Sequence, residues 1–386
     1  MKDGNDAYQG YDRKRSELED YHWQSIGALF EGQHPTIRKG FLWGHSLEAT
    51  IGVPKELRES HPEIEWEQRV PMAIESGNLS NDYTADTSNS DMARNSSTVC
   101  AVVRCIDDHP GAVASGHYVW PSSLSLCDYL VRNHGFSFAS IGTAASPPSM
   151  DDNDGVLPPE TMCDPFRRMP IRSVLELGSG SGILSIVASQ VFRGTLEVLV
   201  VTDYDHTTLE RARENYSSTL EVLHGMGRQQ TIQTEFFPLE WGSQSDWQQI
   251  IDSLNSSETE ELFEEKDRAP LTKNACFDMV LGSDLIDRAE VVEPLLSTVN
   301  TALRAKSNTG IHSSTEDGVF LLTQSFAYDA ETEAEIKRVC NRFQLVRRVL
   351  HEKHLHSDNL ARYYGGSQVI SRQTYTKIQE FRRRID

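Results

Sequence analysis

The chain has 386 residues, with 37 basic and 57 acidic side chains and a formal net charge of −20. That balance argues against a general binder of phosphate backbones, which needs clustered Lys and Arg, and against a polybasic membrane anchor. The length suits one large domain with additions or two ordinary ones, and 38% apolar residues can form a sizeable core while leaving some chain outside it.

No apolar run follows Met1-Lys2-Asp3-Gly4, so no secretory signal is expected, and no stretch reaches the ~18 apolar residues of a membrane span. Residues 1–97 are heterogeneous and read as a partly disordered extension. Residues 21–30 suggest a short helix and residues 36–43 a strand. Residues 76–97 are rich in Ser, Asn, Asp and Thr, a linker composition. A β-like run follows over residues 98–106, closed by Asp107-Asp108-His109-Pro110-Gly111, and apolar residues recur at helical spacing over 124–131. A second loop spans 146–155. The cysteines Cys100, Cys105, Cys127, Cys163, Cys276 and Cys340 form no C-x-x-C pair and read as reduced thiols.

Beyond residue 170 short apolar strands alternate with helices. Strands are expected over 171–177, 196–201, 231–237, 277–281 and 319–323, and helices over 183–192, 209–223 and 291–303. An acidic insertion with Glu258, Glu260, Glu261, Glu264 and Glu265 precedes the fourth of these strands. Residues 343–350 and 366–371 read as closing strands, followed by a final helix to Asp386 whose C-terminal end Arg382, Arg383 and Arg384 would complement. Alternating strands and helices imply parallel βαβ units in a doubly wound α/β sheet, covered on both faces.

The sharpest motif is Glu176-Leu177-Gly178-Ser179-Gly180-Ser181-Gly182, placed where the first of these strands meets its helix. Glycines there let backbone approach a ligand at the carboxyl end of the sheet. The loop lacks the Lys of a P-loop and carries an acid before its first glycine, which suits a ligand with a cationic amino group better than a diphosphate. Asp203 closes the next strand, where a carboxylate can accept both hydroxyls of a ribose. One acid for an amine and one for a ribose describe S-adenosylmethionine; a ligand-free glycine turn is the plain alternative. His351, His354 and His356 form an H-x-x-H-x-H cluster without a convincing fourth ligand, and no metal is expected. Trp23, Trp43 and Trp66 read as packing residues.

Together with Thr202-Asp203 and the run from Phe277 to Asp284, the glycine loop resembles class I, seven-β-strand methyltransferases. Three further pieces narrow the likeness: Gly116-His117-Tyr118-Val119-Trp120-Pro121-Ser122-Ser123, Pro238-Leu239-Glu240-Trp241-Gly242, and Ser283-Asp284-Leu285-Ile286-Asp287 with Val291 to Leu296 behind it. These are similar to the methyltransferase-like 21 group of non-SET protein-lysine methyltransferases, over roughly residues 98–371. The resemblance implies a Rossmann-like, mostly parallel seven-stranded sheet over residues 98–386, enlarged by acidic loops, with S-adenosylmethionine as cofactor.

By the same resemblance, Trp120 would lie beside the cofactor, and Gly178, Ser179, Gly180 and Gly182 would wrap its methionine part with Glu176 near the amino group. Asp203 would hold the ribose, Trp241 would flank the adenine and Ser283 would give backbone contact. Asp284 would face the incoming amine. The family pattern there is Asp-x-x-Tyr, and Asp287 stands where the tyrosine would be, so Asp284 and Asp287 are the catalytic candidates. The chain lacks the Asn/Asp-Pro-Pro-Tyr of base-directed amino-methyltransferases. The implied function is methyl transfer to a protein lysine by a monomeric cytoplasmic and nuclear enzyme, with a protein substrate, no membrane and nucleic acid disfavoured. An altered, non-catalytic S-adenosylmethionine-binding interaction protein and a methyltransferase acting on a small molecule or another residue stay open as alternatives.

Overall fold

The computed structural model describes residues 36–43, 55–69, 99–106, 116–134, 170–225, 227, 232–256, 277–303, 318–354 and 375–384. The readings at 21–30, 76–97, 107–111, 146–155, 258–267 and 366–371 lie outside these residues.

Ten strands and seven α-helices are described, in two sheets. The larger sheet joins β4 (Ser173–Glu176), β5 (Val198–Asp203), β6 (Gln233–Pro238), β7 (Met279–Ser283), β8 (Val319–Gln324), β9 (Leu345–His354) and β10 (Tyr375–Arg383) in the order β6-β5-β4-β7-β8-β10-β9. β4 pairs parallel with β5 and β7, β5 with β6, and β7 with β8. Only β10 runs against the rest, antiparallel to both β8 and β9. The sheet is therefore mostly parallel and doubly wound, as the sequence pattern implies.

Period two along the strands explains why the sheet is covered twice. Val174, Leu199, Val201, Met279, Leu281, Val319 and Leu321 join one apolar cluster, with residues of α2 (Pro121–His134), α3 (Ile183–Val191) and α4 (His206–Gly225). Their neighbours Leu175, Val198, Val200, Val280, Phe320 and Leu322 join the other, with α5 (Gln244–Ser256), α6 (Val292–Ala302) and α7 (Ala330–Arg342). All nine residues of α3 are buried, which its apolar, uncharged sequence requires.

The smaller sheet, β2 (Glu65–Arg69), β1 (Thr36–Trp43) and β3 (Val99–Ile106), lies behind α3 and α4. The short helix α1 (Lys55–Ser60) precedes β2. Among the described residues, the second edge of β3 has no strand beside it, only a single bridge from Ile106 to Tyr118, and side chains take the place of one. Gln190 of α3 pairs with both backbone groups of Cys100, Thr219 of α4 with those of Val102, and Asn215 of α4 with those of Arg104. Three alternate residues of a buried edge are thus satisfied, which leaving them unpaired would make costly. Asp128 of α2 fixes the other end. It is 1% exposed, accepts from Trp43 Nε1 at 2.6 Å and pairs with Arg69 at 3.1 Å. Strands from residues 36–69 therefore build directly onto the helices of the larger sheet.

One reading is corrected. Residues 375–383 are the strand β10, inserted between β8 and β9, and not the expected final helix. Their apolar side chains are spaced as a helix would space them, yet Ile378 packs in one cluster and Phe381 in the other. Both faces of the sheet are buried, so an odd spacing serves a strand. Arg382 and Arg383 consequently complement no helix end of their own: Arg382 pairs with Glu380, and Arg383 donates to the Asn300 carbonyl. Helices α5 and α7 were not expected. Their apolar stripes are narrow, with only Trp247 and Ile250 buried in α5.

Candidate active site

The glycine loop runs from the end of β4 to Gly182, which caps α3. Ser179 N–H donates to the Thr202 carbonyl at 2.9 Å, and Gly182 N–H to the Ser179 carbonyl at 2.8 Å. Gly178 and Gly180 hold φ values of 60° and 53°, a region closed to most side chains. Space forbids them too. A β-carbon on Gly178 would stand 2.7 Å from Leu285 and 3.5 Å from Trp241; one on Gly180 would stand 3.3 Å from the Gly116 carbonyl oxygen. The loop is thereby walled by Leu285 and Trp241 on one side and by the 116–120 segment on the other. Ser179 Oγ is buried without a hydrogen-bond partner, a polar group left for something the chain does not supply.

Glu176 lies at the last position of β4 and is 1% exposed. Its carboxyl accepts the Ser185 N–H at 3.1 Å and the Ser185 hydroxyl. It therefore turns into the first turn of α3. Burial is the main cause that raises its pKa to about 8, with the charge of Asp203 adding to the effect and the Ser185 bonds opposing it. The expected anion at this position is a neutral acid at pH 7 in the ligand-free fold.

Asp203 ends β5 and is only partly covered. One carboxylate oxygen accepts Gly180 N–H at 3.0 Å and the other accepts Asp205 N–H at 3.1 Å. It thus ties the glycine loop to the β5–α4 turn. Burial raises its pKa to about 6, against the pull of those backbone donors. Each oxygen keeps lone-pair capacity for a further donor.

Trp120 is partly buried, edge-on to Tyr118 with ring centroids 5.3 Å apart. Pro121 follows it at the first position of α2, where a missing N–H costs nothing. Trp241 stands beside Gly178, with its flank on the cluster around α6.

Ser283 ends β7, paired with Thr323 of β8. Asp284 follows with φ 51°, a left-handed conformation that Asp tolerates better than most. Its carboxylate gathers three elements: Ser122 Oγ of α2 at 2.5 Å, and Ser325 N–H at 2.7 Å and Oγ at 2.8 Å beyond β8. Burial raises its pKa, against these same donors. Asp287 stands apart. Its side chain is 64% exposed, and its ion-pair partner is the adjacent Arg288 at 3.9 Å.

The structure thus brings Gly178, Gly180, Gly182, Ser179, Asp203 and Trp241 together around one loop. It sets Glu176 behind that loop and Asp284 at the neighbouring strand end, and it leaves Asp287 on the surface. Ser325 and Ser185 complete the site and had no signal in the sequence; Ser122 and Leu285 belonged to recognised motifs without a role. His351 and His354 lie in β9, and His356 is outside the described residues. Among the described residues, no group of three or more His, Cys, Asp or Glu could hold a metal ion.

The comparisons with known proteins complete this picture. Residues 105–253 match the family model described as lysine methyltransferase. The match spans the glycine loop and Asp203 and is similar in kind to the methyltransferase-like 21 group. Among curated proteins no sequence matches the chain. Solved structures of similar shape include a ribosomal protein L11 methylase from Lactobacillus delbrueckii, at 14% identity over 57% of this chain and 74% of that one, with TM-score 0.30. Another is the YcgJ protein from Bacillus subtilis, at 11% identity over 56% and 94%, with TM-score 0.32. A third is a precorrin-6y C5,15-methyltransferase from Geobacter metallireducens, at 12% identity over 56% and 83%, with TM-score 0.31. The matched family is one of methyltransferases, and S-adenosylmethionine is the methyl donor against which the site is read. The site fits that group: an unpartnered buried hydroxyl, a carboxylate with spare acceptors, a flat indole, and a loop whose glycines leave room.

Proposed function

We propose that the protein transfers a methyl group from S-adenosylmethionine to the ε-amine of a lysine in a protein substrate. The observation that carries this reading is the alignment of three neighbouring strand ends, the glycine loop after β4 and Asp203 at β5, both within the residues that match the lysine methyltransferase model, and Asp284 after β7 beyond them.

In this reading Asp203 accepts the ribose hydroxyls, Trp241 covers the adenine, Ser179 Oγ bonds the methionine part, and Trp120 and Ser283 line the mouth. The bound cofactor supplies a methyl group already activated on a sulfonium, so the protein contributes orientation and electrostatics. A lysine ammonium has no lone pair and must arrive neutral. Asp284, partly buried and more basic than a free Asp, aligns the amine and takes up its proton on its carboxylate for passage to water. Such help is typically worth about 10²–10⁴-fold in rate. Asp287 is exposed near this end and would meet the approaching lysine before Asp284 does.

Incubation with methyl-labelled S-adenosylmethionine and cell lysate tests the reading. A labelled protein band whose mass spectrum carries methyl-lysine is the expected result. Label confined to the low-mass fraction, or on a different residue, overturns it in favour of another acceptor. No label, with S-adenosylhomocysteine still bound, leaves a non-catalytic binder.

A further inference from the structure

We propose that a cleft between β1, β3 and α4 binds a phosphomonoester dianion. The cleft encloses about 480 Å³ and is lined by Arg38, Arg104, Arg213, Glu214, Ser217 and Ser218, among others. Arginines from three elements line it, in a chain whose net charge is −20; Arg213 also lies over the Phe236 ring, 5.1 Å from its centroid.

Arg38 and Arg104 stand directly opposite each other in the antiparallel β1–β3 pair. Like charges at such a position destabilise a sheet unless an anion lies between them. Arg104 is also the single exposed residue of β3. The local carboxylates do not remove the problem. Glu63 pairs with Arg38 at 3.1 Å, Glu210 with Arg213, and Glu214 with Arg211 at 3.5 Å. Arg104 donates from Nε to Thr36 Oγ1 at 3.0 Å, and among the described residues it forms no ion pair, although Glu214 lines the same cleft.

The frame that holds these groups is rigid. Asn215 accepts the Arg104 N–H at 2.6 Å and donates to the Ser181 carbonyl at 2.9 Å, so β3, α4 and the glycine loop are locked together at the cleft's edge. Guanidinium forks already held in place lose little freedom on binding. Their planar pairs of donors match a phosphate oxygen pair, and the Ser217 and Ser218 hydroxyls supply the donors that a third oxygen needs. A cleft of this size has room for a phosphate and the group that carries it. The phosphate can be carried by a free metabolite or by a phosphorylated side chain of the substrate protein.

Isothermal titration of the full chain at constant ionic strength tests this. The probes are inorganic phosphate, a nucleoside monophosphate, and a phosphoserine peptide with its unphosphorylated counterpart. Saturable phosphate binding is expected, weakened about tenfold or more in Arg104→Gln and in Arg213→Gln, the value of one lost charged hydrogen bond. Arg38→Gln relieves the cross-strand repulsion, so it should fold with unchanged or higher thermal stability in phosphate-free buffer while also losing affinity. A phosphopeptide that binds more tightly than inorganic phosphate identifies a protein-borne phosphate; equal or tighter binding of the nucleoside monophosphate identifies a metabolite. Absence of saturable binding by every probe, or equal affinities in the wild type and all three variants, overturns the proposal.

Discussion

Glu176→Gln should make the protein's stability less sensitive to alkali. The wild-type carboxyl is sealed beneath α3, with its pKa raised from 4.5 to about 8, chiefly by burial. A raised acid binds its proton more tightly when folded than when unfolded. Its contribution to stability is therefore complete below pH 4.5 and is lost as pH rises through about 8. At about 1.4 kcal/mol per pH unit, the shift is worth on the order of 5 kcal/mol across that window. This is an upper bound, because relaxation and water entry shelter a buried charge. The glutamine keeps an oxygen for the Ser185 N–H and hydroxyl and removes the titration.

Urea unfolding followed by tryptophan fluorescence from pH 5 to pH 9 reads the difference directly. At pH 5 the wild type should be as stable as the variant or more so, since its acid is neutral and better satisfied. The free-energy gap should move steadily in the variant's favour up to about pH 8 and then level. A gap that stays flat over the range, or one that widens for the wild type as pH rises, refutes the burial argument. The same variant separates two roles. If the cofactor's amino group draws out the Glu176 charge, S-adenosylhomocysteine binding releases a proton near pH 7 in the wild type and none in Glu176→Gln. Titrations in buffers of different ionisation enthalpy measure this.

Asp203→Ala should weaken S-adenosylhomocysteine binding, and wild-type affinity should fall as pH drops below about 6, where the carboxylate takes up its proton; an affinity flat to pH 5 would exclude Asp203 from the ribose role. Ser179→Ala removes a buried hydroxyl that has no partner, so the ligand-free protein should melt at an equal or higher temperature while cofactor affinity falls about fivefold or more, as for a lost hydrogen bond. Asp284→Asn should retain S-adenosylhomocysteine binding and lose about 10²–10⁴ in turnover, measured by label transfer; unchanged turnover would make Asp284 purely architectural. Asp128→Ala strands Arg69 in the interior and should cost about 3–5 kcal/mol in a denaturant titration.

What could be read in advance followed from how many faces of an element are buried. Strands β4, β5, β7 and β8 are covered on both sides, so each carries adjacent apolar residues without polar alternation, which makes them hard to mistake. Strand β10 is buried just as deeply, but it carries Lys377, Gln379 and Glu380 inside the sheet. Each is satisfied from across the fold, Lys377 by Glu333, Gln379 by Arg347 and Glu380 by Arg348 and Arg382. Those partners arrive through tertiary contact, so the isolated segment shows only helix-forming side chains at helical spacing. Helix α7 illustrates the opposite case. Its Asp329 cap, which accepts the Thr332 N–H at 2.7 Å, and its buried Thr332, Ile336, Val339 and Cys340 sit in a highly charged stretch that masks a regular stripe.

The same division runs through the site. Glycines and the acid at the end of β5 stand at positions fixed by local chain geometry, so spacing alone exposes them. Asp284 depends on Ser122, 162 residues away, and on Ser325, 41 residues away, and no local pattern reveals that convergence. It matters for the departure at residue 287. Asp284 is held by two serines and a left-handed backbone, none of which involves residue 287. In the proposed reading, Asp287 in place of the family's tyrosine therefore leaves Asp284 where it is and alters only what meets the amine first. An aromatic surface is still near: Phe326 directly follows Ser325, is 40% exposed, and stands edge-on to Tyr328 at 6.4 Å. In the proposed lysine reading, the ammonium of an approaching lysine can lie over such a ring before it loses its proton, on the β8 side of Asp284, with Asp287 adding charge attraction from the solvent side.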